Sequence, residues 1–131
     1  MAPDAILERH LAGNPDVLEQ LDLARDAAWS TVDNRLLGLC EQRVREILGT
    51  ADQNKLGNWY DDPGLSPAER ACIAFTEEYM IDVANLTDNA AAAVREHLGD
   101  QATVDFVSAL LVVEQRQRIA LTWSTIFGDE S

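Results

Sequence analysis

Arginines and carboxylates that could hold an anion or transfer a proton occur together in two parts of the chain. Arg43 and Arg118 lie beside apolar positions of predicted helices. Either one could hold a substrate carboxylate through a bidentate contact, and Glu41, Asp52 or Glu114 would be the nearest general acid or base. The structural alternative is a salt bridge between helices, for example from Glu41 or Glu114 to one arginine. We predict Glu41, Arg43 and Glu114 as the catalytic residues.

A polar loop after the first of these groups supplies the remaining candidates. It holds Thr50 and Gln53, neither of them a strong nucleophile, and then Trp59 and Tyr60. Two aromatic side chains in a loop either fold back onto the core or line a ligand pocket, where Tyr60 could donate a proton. Together with Arg118, these four residues are the predicted substrate-binding set.

The cysteines and histidines do not have the spacing of a known site. Cys40 and Cys72 lie within apolar helical patterns, and a buried thiol with no basic neighbour has a high pKa and little reactivity. His97 ends a predicted helix, where an imidazolium favours the helix dipole, and His10 ends a short N-terminal helix and is expected to be exposed. Neither histidine has a partner at ligand spacing, so we predict no metal and no cofactor.

Composition narrows the class of partner. The chain of 131 residues is 47% hydrophobic and 25% charged, with a formal charge of −13. So acidic a protein is not expected to bind nucleic acid or an anionic membrane surface, because Lys and Arg make those contacts. The most apolar run, residues 106–113, is much shorter than the ~20 residues that span a bilayer. The N-terminus lacks a basic stretch followed by an apolar block, so we expect no signal peptide and a cytoplasmic protein.

Helical periodicity and capping signals recur along the whole chain, and no segment alternates as a strand would. The clearest signal is Ser66-Pro67-Ala68-Glu69, a capping box that starts a helix. Gly49 ends the helix before it. We therefore predict an all-α fold with helices near residues 4–11, 15–30, 35–48, 67–83, 88–98 and 101–126, the last of these capped by Asp100.

One domain accounts for residues 1–131, because a second would be too small to hold a core. Residues 1–13 are predicted to be a peripheral N-terminal segment. The second helix is expected to turn Val17, Leu23 and Trp29 towards the core. The last helix is apolar enough to be central or to lie at a subunit contact.

The order of these signals resembles one family. The strings VDNRLLGLCEQRVREILG, NWYDDPGLSPAERACIAFTEEY, REHLGD and VEQRQRIA follow one another from residue 32 to residue 120. They resemble the carboxymuconolactone decarboxylase family, which shares its fold with the alkylhydroperoxidase AhpD. The resemblance implies an AhpD-like helical bundle that forms homo-oligomers, often trimers or hexamers.

The same resemblance implies that the family's usual chemistry is missing. The family carries a Glu in the central helix and a C-x-x-C-x-x-x-H run after it. Those positions correspond here to Gly38, Thr50, Gln53 and Gly57. Cys40 lies some ten residues before the first cysteine position, inside the apolar stripe, so we predict a degenerate site without thiol peroxidase activity.

Three functions remain open at this point. The chain could be an enzyme that acts on a small organic acid or related metabolite without cysteine, or a non-catalytic relative that binds a ligand or a partner. The third interpretation is an alkylhydroperoxidase or peroxiredoxin-type antioxidant acting through Cys40 or Cys72. A closed cavity containing a carboxylate of raised pKa near Arg43 would favour catalysis, whereas a filled cavity would favour the second interpretation.

Overall fold

The computed structural model describes residues 2–128. This part of the chain forms six α-helices and no β-strand, which confirms the predicted all-α class. The helices are α1 (Pro3–His10), α2 (Pro15–Thr31), α3 (Asn34–Leu48), α4 (Pro67–Asp82), α5 (Asp88–Leu98) and α6 (Asp100–Phe127). Two short 3₁₀ turns, Trp59–Asp61 and Val83–Asn85, lie in the connections.

The capping box at the start of α4 is present and also fixes α4 against α3. The Ser66 hydroxyl accepts from the Glu69 amide at 3.1 Å, and the Ser66 amide donates to the Glu69 carboxylate at 2.8 Å. Arg35 of α3 donates to the same carboxylate at 2.6 Å. Since the box and the ion pair share one side chain, the two helix starts lie next to each other.

Gly49 ends α3 as predicted, with a φ of 77° that suits glycine. The Thr50 amide then donates to the Arg45 carbonyl at 2.9 Å. At the start of α6, the prediction that Asp100 is the N-cap was wrong, because the helix begins at Asp100 and Gly99 occupies the N-cap position. The Asp100 carboxylate accepts instead from Arg95.

The main core lies between α3, α4, α5 and α6. Cys40, Val44, Cys72 and Phe106 are fully buried in it, and the rings of Phe75 and Phe106 meet edge to face. A smaller cluster joins α2 to α3 and α6 through Ala28, Leu37, Ala109 and Val113. The small side chains in this second cluster let the helices approach closely.

Helix α6 is the central element, as one of the sequence alternatives expected. It contacts α1, α2, α3 and α5, so side chains from several helices can meet along its length. Across residues 2–128, no helix is both long enough and apolar enough to pass through a bilayer.

The segment predicted to be peripheral, residues 1–13, contains α1 in the part that the structure describes. Helix α1 docks on α6, and Leu7 has no exposed surface. His10 is also partly buried rather than exposed, since its ring lies 5.4 Å from that of Trp123 and 4.8 Å from that of Phe127. Helix α1 is therefore packed into the bundle against α6.

Helix α2 faces the core less than its sequence predicts. Val17 and Leu23 are 49% and 54% exposed, so the expectation that they pack inward was wrong. Ala28 is buried and Trp29 is partly buried. The reason is that α2 packs along α6 through its small residues, which leaves its larger aliphatic side chains on the outer face.

The long connection between α3 and α4 is held by charged side chains rather than by regular structure. Glu46 accepts from the Leu56 amide at 2.9 Å. Arg70 of α4 donates to the carbonyl oxygens of Tyr60, at 2.9 Å, and Asp62. The connection is thus fixed from both neighbouring helices.

Candidate functional site

A cleft of ≈ 590 Å³ lies between α1, α2, α3 and α6. This volume falls within the roughly 300–1,000 Å³ typical of small-molecule sites. Charged groups reach it from all four helices and from the segment after α3, and these are Asp4, Arg25, Glu41, Arg45, Asp52 and Arg116. The combination of size and converging charge makes this cleft the candidate site.

Glu41 of α3 is the titratable group of most interest in the cleft. Partial burial raises the pKa of its carboxyl group, and the negative charge of Asp4 raises it further. The positive charge of Arg45 and an interaction with the Gln117 side chain lower the same pKa without cancelling the effect of burial. A carboxyl group held protonated closer to neutral pH can act as a general acid.

Arg116 of α6 is almost wholly buried, with 8% of its surface exposed. Its Nε donates to Asp4 at 2.9 Å, and its Nη2 donates to Asp22 at 2.9 Å. Its Nη1 is buried and has no hydrogen-bond partner in the described part of the chain. A buried donor without a partner costs roughly 1–3 kcal/mol, so an acceptor in the cleft would be stabilised here.

Arg45 supplies a second such donor. It follows Glu41 by one helical turn on α3 and lines the same cleft. Its Nε is buried and, within residues 2–128, has no hydrogen-bond partner. The cleft therefore brings together two guanidinium donors and a carboxyl group of raised pKa, which suits the binding and protonation of an organic anion.

Only two of the eight predicted site residues line this cleft, namely Glu41 and Thr50. Asp52, one of the three candidate general acids or bases considered from sequence, lines it too and is exposed. The carboxylate of raised pKa that would favour catalysis is thus present, but beside Arg45 rather than Arg43.

Arg43 and Trp59 belong to a separate network on another side of α3. Arg43 donates to Glu77 of α4 at 2.8 Å and to Glu46 at 3.0 Å. The Trp59 indole donates to the same Glu77 oxygen at 2.6 Å. The salt-bridge interpretation of Arg43 is therefore the one observed, although its partners are Glu77 and Glu46 rather than Glu41 or Glu114.

The remaining predicted residues also lie away from the cleft lining. Arg118 pairs with Glu114 one turn earlier on α6 and approaches the Met80 carbonyl at 3.5 Å. Tyr60 is 59% exposed and donates to Asn58 at 3.1 Å. Gln53 is exposed, and its carbonyl accepts from the Gln42 side chain at 2.8 Å.

Sequence reasoning missed Arg45, Arg116 and Gln117 as site residues. A signal was available for the last two. Ala109, Val113 and Ala120 recur at helical spacing on α6, and positions 116 and 117 continue that stripe with polar side chains. A charged residue on a buried stripe needs a partner from another helix, and for Arg116 these partners are Asp4 and Asp22.

The cysteines lie outside the cleft and are fully buried. Burial raises the pKa of the Cys40 thiol to about 12, against a smaller lowering by the Thr76 hydroxyl. Burial also raises the pKa of Cys72. In the part of the chain that the structure describes, no cluster of three or more His, Cys, Asp or Glu side chains could hold a metal ion.

Comparison of the chain with protein-family models, curated proteins and solved structures returned no match. The resemblance to the carboxymuconolactone decarboxylase family therefore stays a hypothesis. Of the four positions that the resemblance assigns to the missing catalytic groups, only Thr50 lines the cleft, whereas Gln53 and Gly57 are exposed.

Proposed function

We propose that this protein is an AhpD-like relative of the carboxymuconolactone decarboxylases that binds a small organic acid and exchanges a proton with it through Glu41. One observation carries the proposal. A carboxyl group whose pKa is raised by burial shares a cleft with the buried, unpartnered nitrogens of Arg45 and Arg116. Titratable groups perturbed in this way concentrate at functional sites.

The proposed reaction is proton transfer next to a carbonyl group. The Glu41 carboxylate takes a C–H proton, and the electron pair of that bond moves onto the carbonyl oxygen as an enolate. Arg45 stabilises the developing negative charge by donating to this oxygen. Glu41 exchanges this proton with solvent, and return of a proton (a deuteron in D₂O) from Glu41 to carbon restores the carbonyl, so atoms and charge balance without a redox partner.

The test measures binding and exchange separately. Titration calorimetry with 2-oxobutyrate gives the affinity, and proton NMR in D₂O follows the loss of its C3–H signal. We expect binding to the wild type, with exchange accelerated above the rate in buffer. Glu41→Gln should still bind but lose the acceleration, while Glu96→Gln on the exposed side of α5 should match the wild type. Absence of any binding would refute the proposal.

A non-catalytic ligand-binding role is the second candidate. In its favour, the residues of the described chain that line the cleft include no Cys, His or Lys, and the carboxylates among them are Asp4, Glu41 and Asp52. Binding of 2-oxobutyrate without accelerated exchange would support this role and reject the catalytic one.

A thiol-based function is not proposed. Support comes from the burial of Cys40 and Cys72 and from the raised pKa of both thiols, since the thiolate is the reactive species. The two free, buried cysteines are also compatible with the reducing cytoplasm, which we retain as the proposed location. Fractionation of cells expressing the chain would test that location.

Self-association as a trimer or hexamer is proposed as well. The support is that four aliphatic side chains of α2 and α6 are exposed, namely Val17, Leu23, Val104 and Leu111. Exposed apolar side chains are common at subunit contacts. Light scattering at micromolar concentration should give a mass of three or six chains, and a sharp monomer mass would reject the proposal.

A further inference from the structure

The donors without partners in the cleft are enough for one carboxylate. Nη1 of Arg116 and Nε of Arg45 are buried and, in the described part of the chain, have no hydrogen-bond partner. Arg25, the third cation of the cleft, already lies 3.7 Å from Asp4 and 3.6 Å from Asp22. A second carboxylate on the same ligand would therefore meet aspartates rather than donors, at a repulsive cost.

Two aspartates from different helices fix the direction of the Arg116 guanidinium. Asp4 of α1 accepts from Nε at 2.9 Å and also lies 2.8 Å from Nη2 as an ion pair, and Asp22 of α2 accepts from Nη2 at 2.9 Å. All these contacts use Nε and Nη2. Nη1 is consequently the one nitrogen of Arg116 whose hydrogen-bonding capacity is unused within residues 2–128.

The rest of the cleft is lined largely by apolar side chains from three helices. Ile6 of α1, Trp29 of α2, and Val112 and Leu121 of α6 form these walls. A hydrocarbon chain or ring placed against them would lose contact with water without any polar group of the ligand losing its hydration. The wall is also a poor place for a second charged group, since charges resist burial in apolar surroundings.

We infer that the cleft takes a monocarboxylate with an apolar body, its carboxylate bound to Nη1 of Arg116 and its body lying against Trp29. This inference rests on the proposed function and adds to it the substrate class. Asp4 and Asp22 are positioning residues for Arg116. Arg45 donates either to the same carboxylate or to a carbonyl oxygen next to it.

Three probes of equal chain length test separately whether binding requires a carboxylate and whether a second carboxylate weakens it. Hexanoate carries one carboxylate, adipate carries two, and hexanamide replaces the carboxylate by a neutral amide. Titration calorimetry at about pH 7, where both acids are ionised, should find hexanoate bound at least about tenfold more tightly than adipate or hexanamide.

Variants then locate the carboxylate. Arg116→Lys keeps a cation but loses the planar guanidinium, and it should weaken hexanoate binding by about tenfold or more. Arg95→Met removes an exposed arginine outside the cleft, so it should leave the affinity unchanged. Circular dichroism checks the fold of each variant. If Arg116→Lys does not fold, the order of the three probes on the wild type decides the inference.

The outcomes distinguish this inference from the function on which it rests. Adipate binding as tightly as hexanoate would overturn the monocarboxylate class while leaving the organic-acid function in place. Hexanamide binding as tightly as hexanoate, or full affinity in a folded Arg116→Lys variant, would overturn the carboxylate contact. If neither these probes nor 2-oxobutyrate bind, the proposed function itself is wrong.

Discussion

Replacing Leu7 with alanine should release α1 from α6 and so remove one wall of the cleft. Leu7 has no exposed surface, and its neighbours in the same contact, Ile6 and Leu11, are 4% and 7% exposed. Truncation of a fully buried leucine costs about 2–5 kcal/mol. A helix of eight residues does not hold its conformation alone. Undocking and unfolding of α1 are therefore one event.

The measurable consequence is local. Amide hydrogen exchange followed by mass spectrometry should show residues 3–10 losing protection in Leu7→Ala, while α4 and α5 keep theirs, because local opening requires less free energy than global unfolding. Hexanoate affinity should fall in parallel, since Asp4 no longer fixes Arg116. Ile81→Ala removes a similar aliphatic side chain at a site that is 76% exposed and outside the cleft, and its cost should stay within about 0.5 kcal/mol.

The reasoning would be refuted by a Leu7→Ala variant whose α1 amides remain as protected as those of the wild type. It would also be refuted if α1 lost protection but the affinity for hexanoate did not change. The first result would mean that Leu7 does not hold α1 in place, and the second that α1 is not part of the site.

Three further predictions concern acidity, thiols and capping. Burial raises the pKa of Glu41, so its stabilising contribution is complete below the unfolded pKa of about 4.3 and is lost as pH rises through the folded pKa. Glu41→Gln should thus gain stability relative to the wild type as pH rises from about 4 to 7.5 in urea melts, and a pH-independent difference would contradict this. Cys40 and Cys72 should react with iodoacetamide only after denaturation, and labelling of the native protein at the rate of a free thiol would argue against their burial. Ser66→Ala should lower the free energy of unfolding by about 1 kcal/mol, whereas an unchanged urea midpoint would show the capping box to be dispensable.

The features that sequence predicted well are those with local causes. Ser66 and Glu69 start α4 through contacts within four residues, and Gly49 ends α3 through its own φ angle. Such signals need no knowledge of the rest of the fold. The all-α class and the burial of both cysteines were predicted for the same reason, since helical periodicity is a local property.

The candidate site could not be placed so well, because it depends on which face of each helix meets which neighbour. Arg43 and Arg45 are two positions apart on α3, which turns their side chains by about 200° around the axis. Arg43 thus meets Glu77 of α4, while Arg45 faces the cleft. Since α1 was expected to be peripheral, its contribution to the cleft was not predicted, and Arg45 was not among the chosen residues.

On α6 the same effect acted at the same spacing. Arg118 was chosen over Arg116, two positions away, although Arg116 is the buried member of the pair. Both are arginines in a polar stretch of the helix; the apolar stripe of α6 favours Arg116, and its partners Asp4 and Asp22 lie on other helices. The periodicity of apolar residues indicates which arginine of α6 is favoured for burial, but it does not decide between the two.

The well-anchored connection between α3 and α4 has a consequence for how a ligand would bind and be released. Glu46, Glu77 and Arg70 hold this segment by its backbone and by Trp59, although it has little regular structure. Its first residues form one rim of the cleft. The rim formed by α1, by contrast, is a short helix held in place by a few buried side chains. Since α1 is the less firmly held of the two rims, we expect variants that weaken the contact between α1 and α6 to raise the release rate of a ligand.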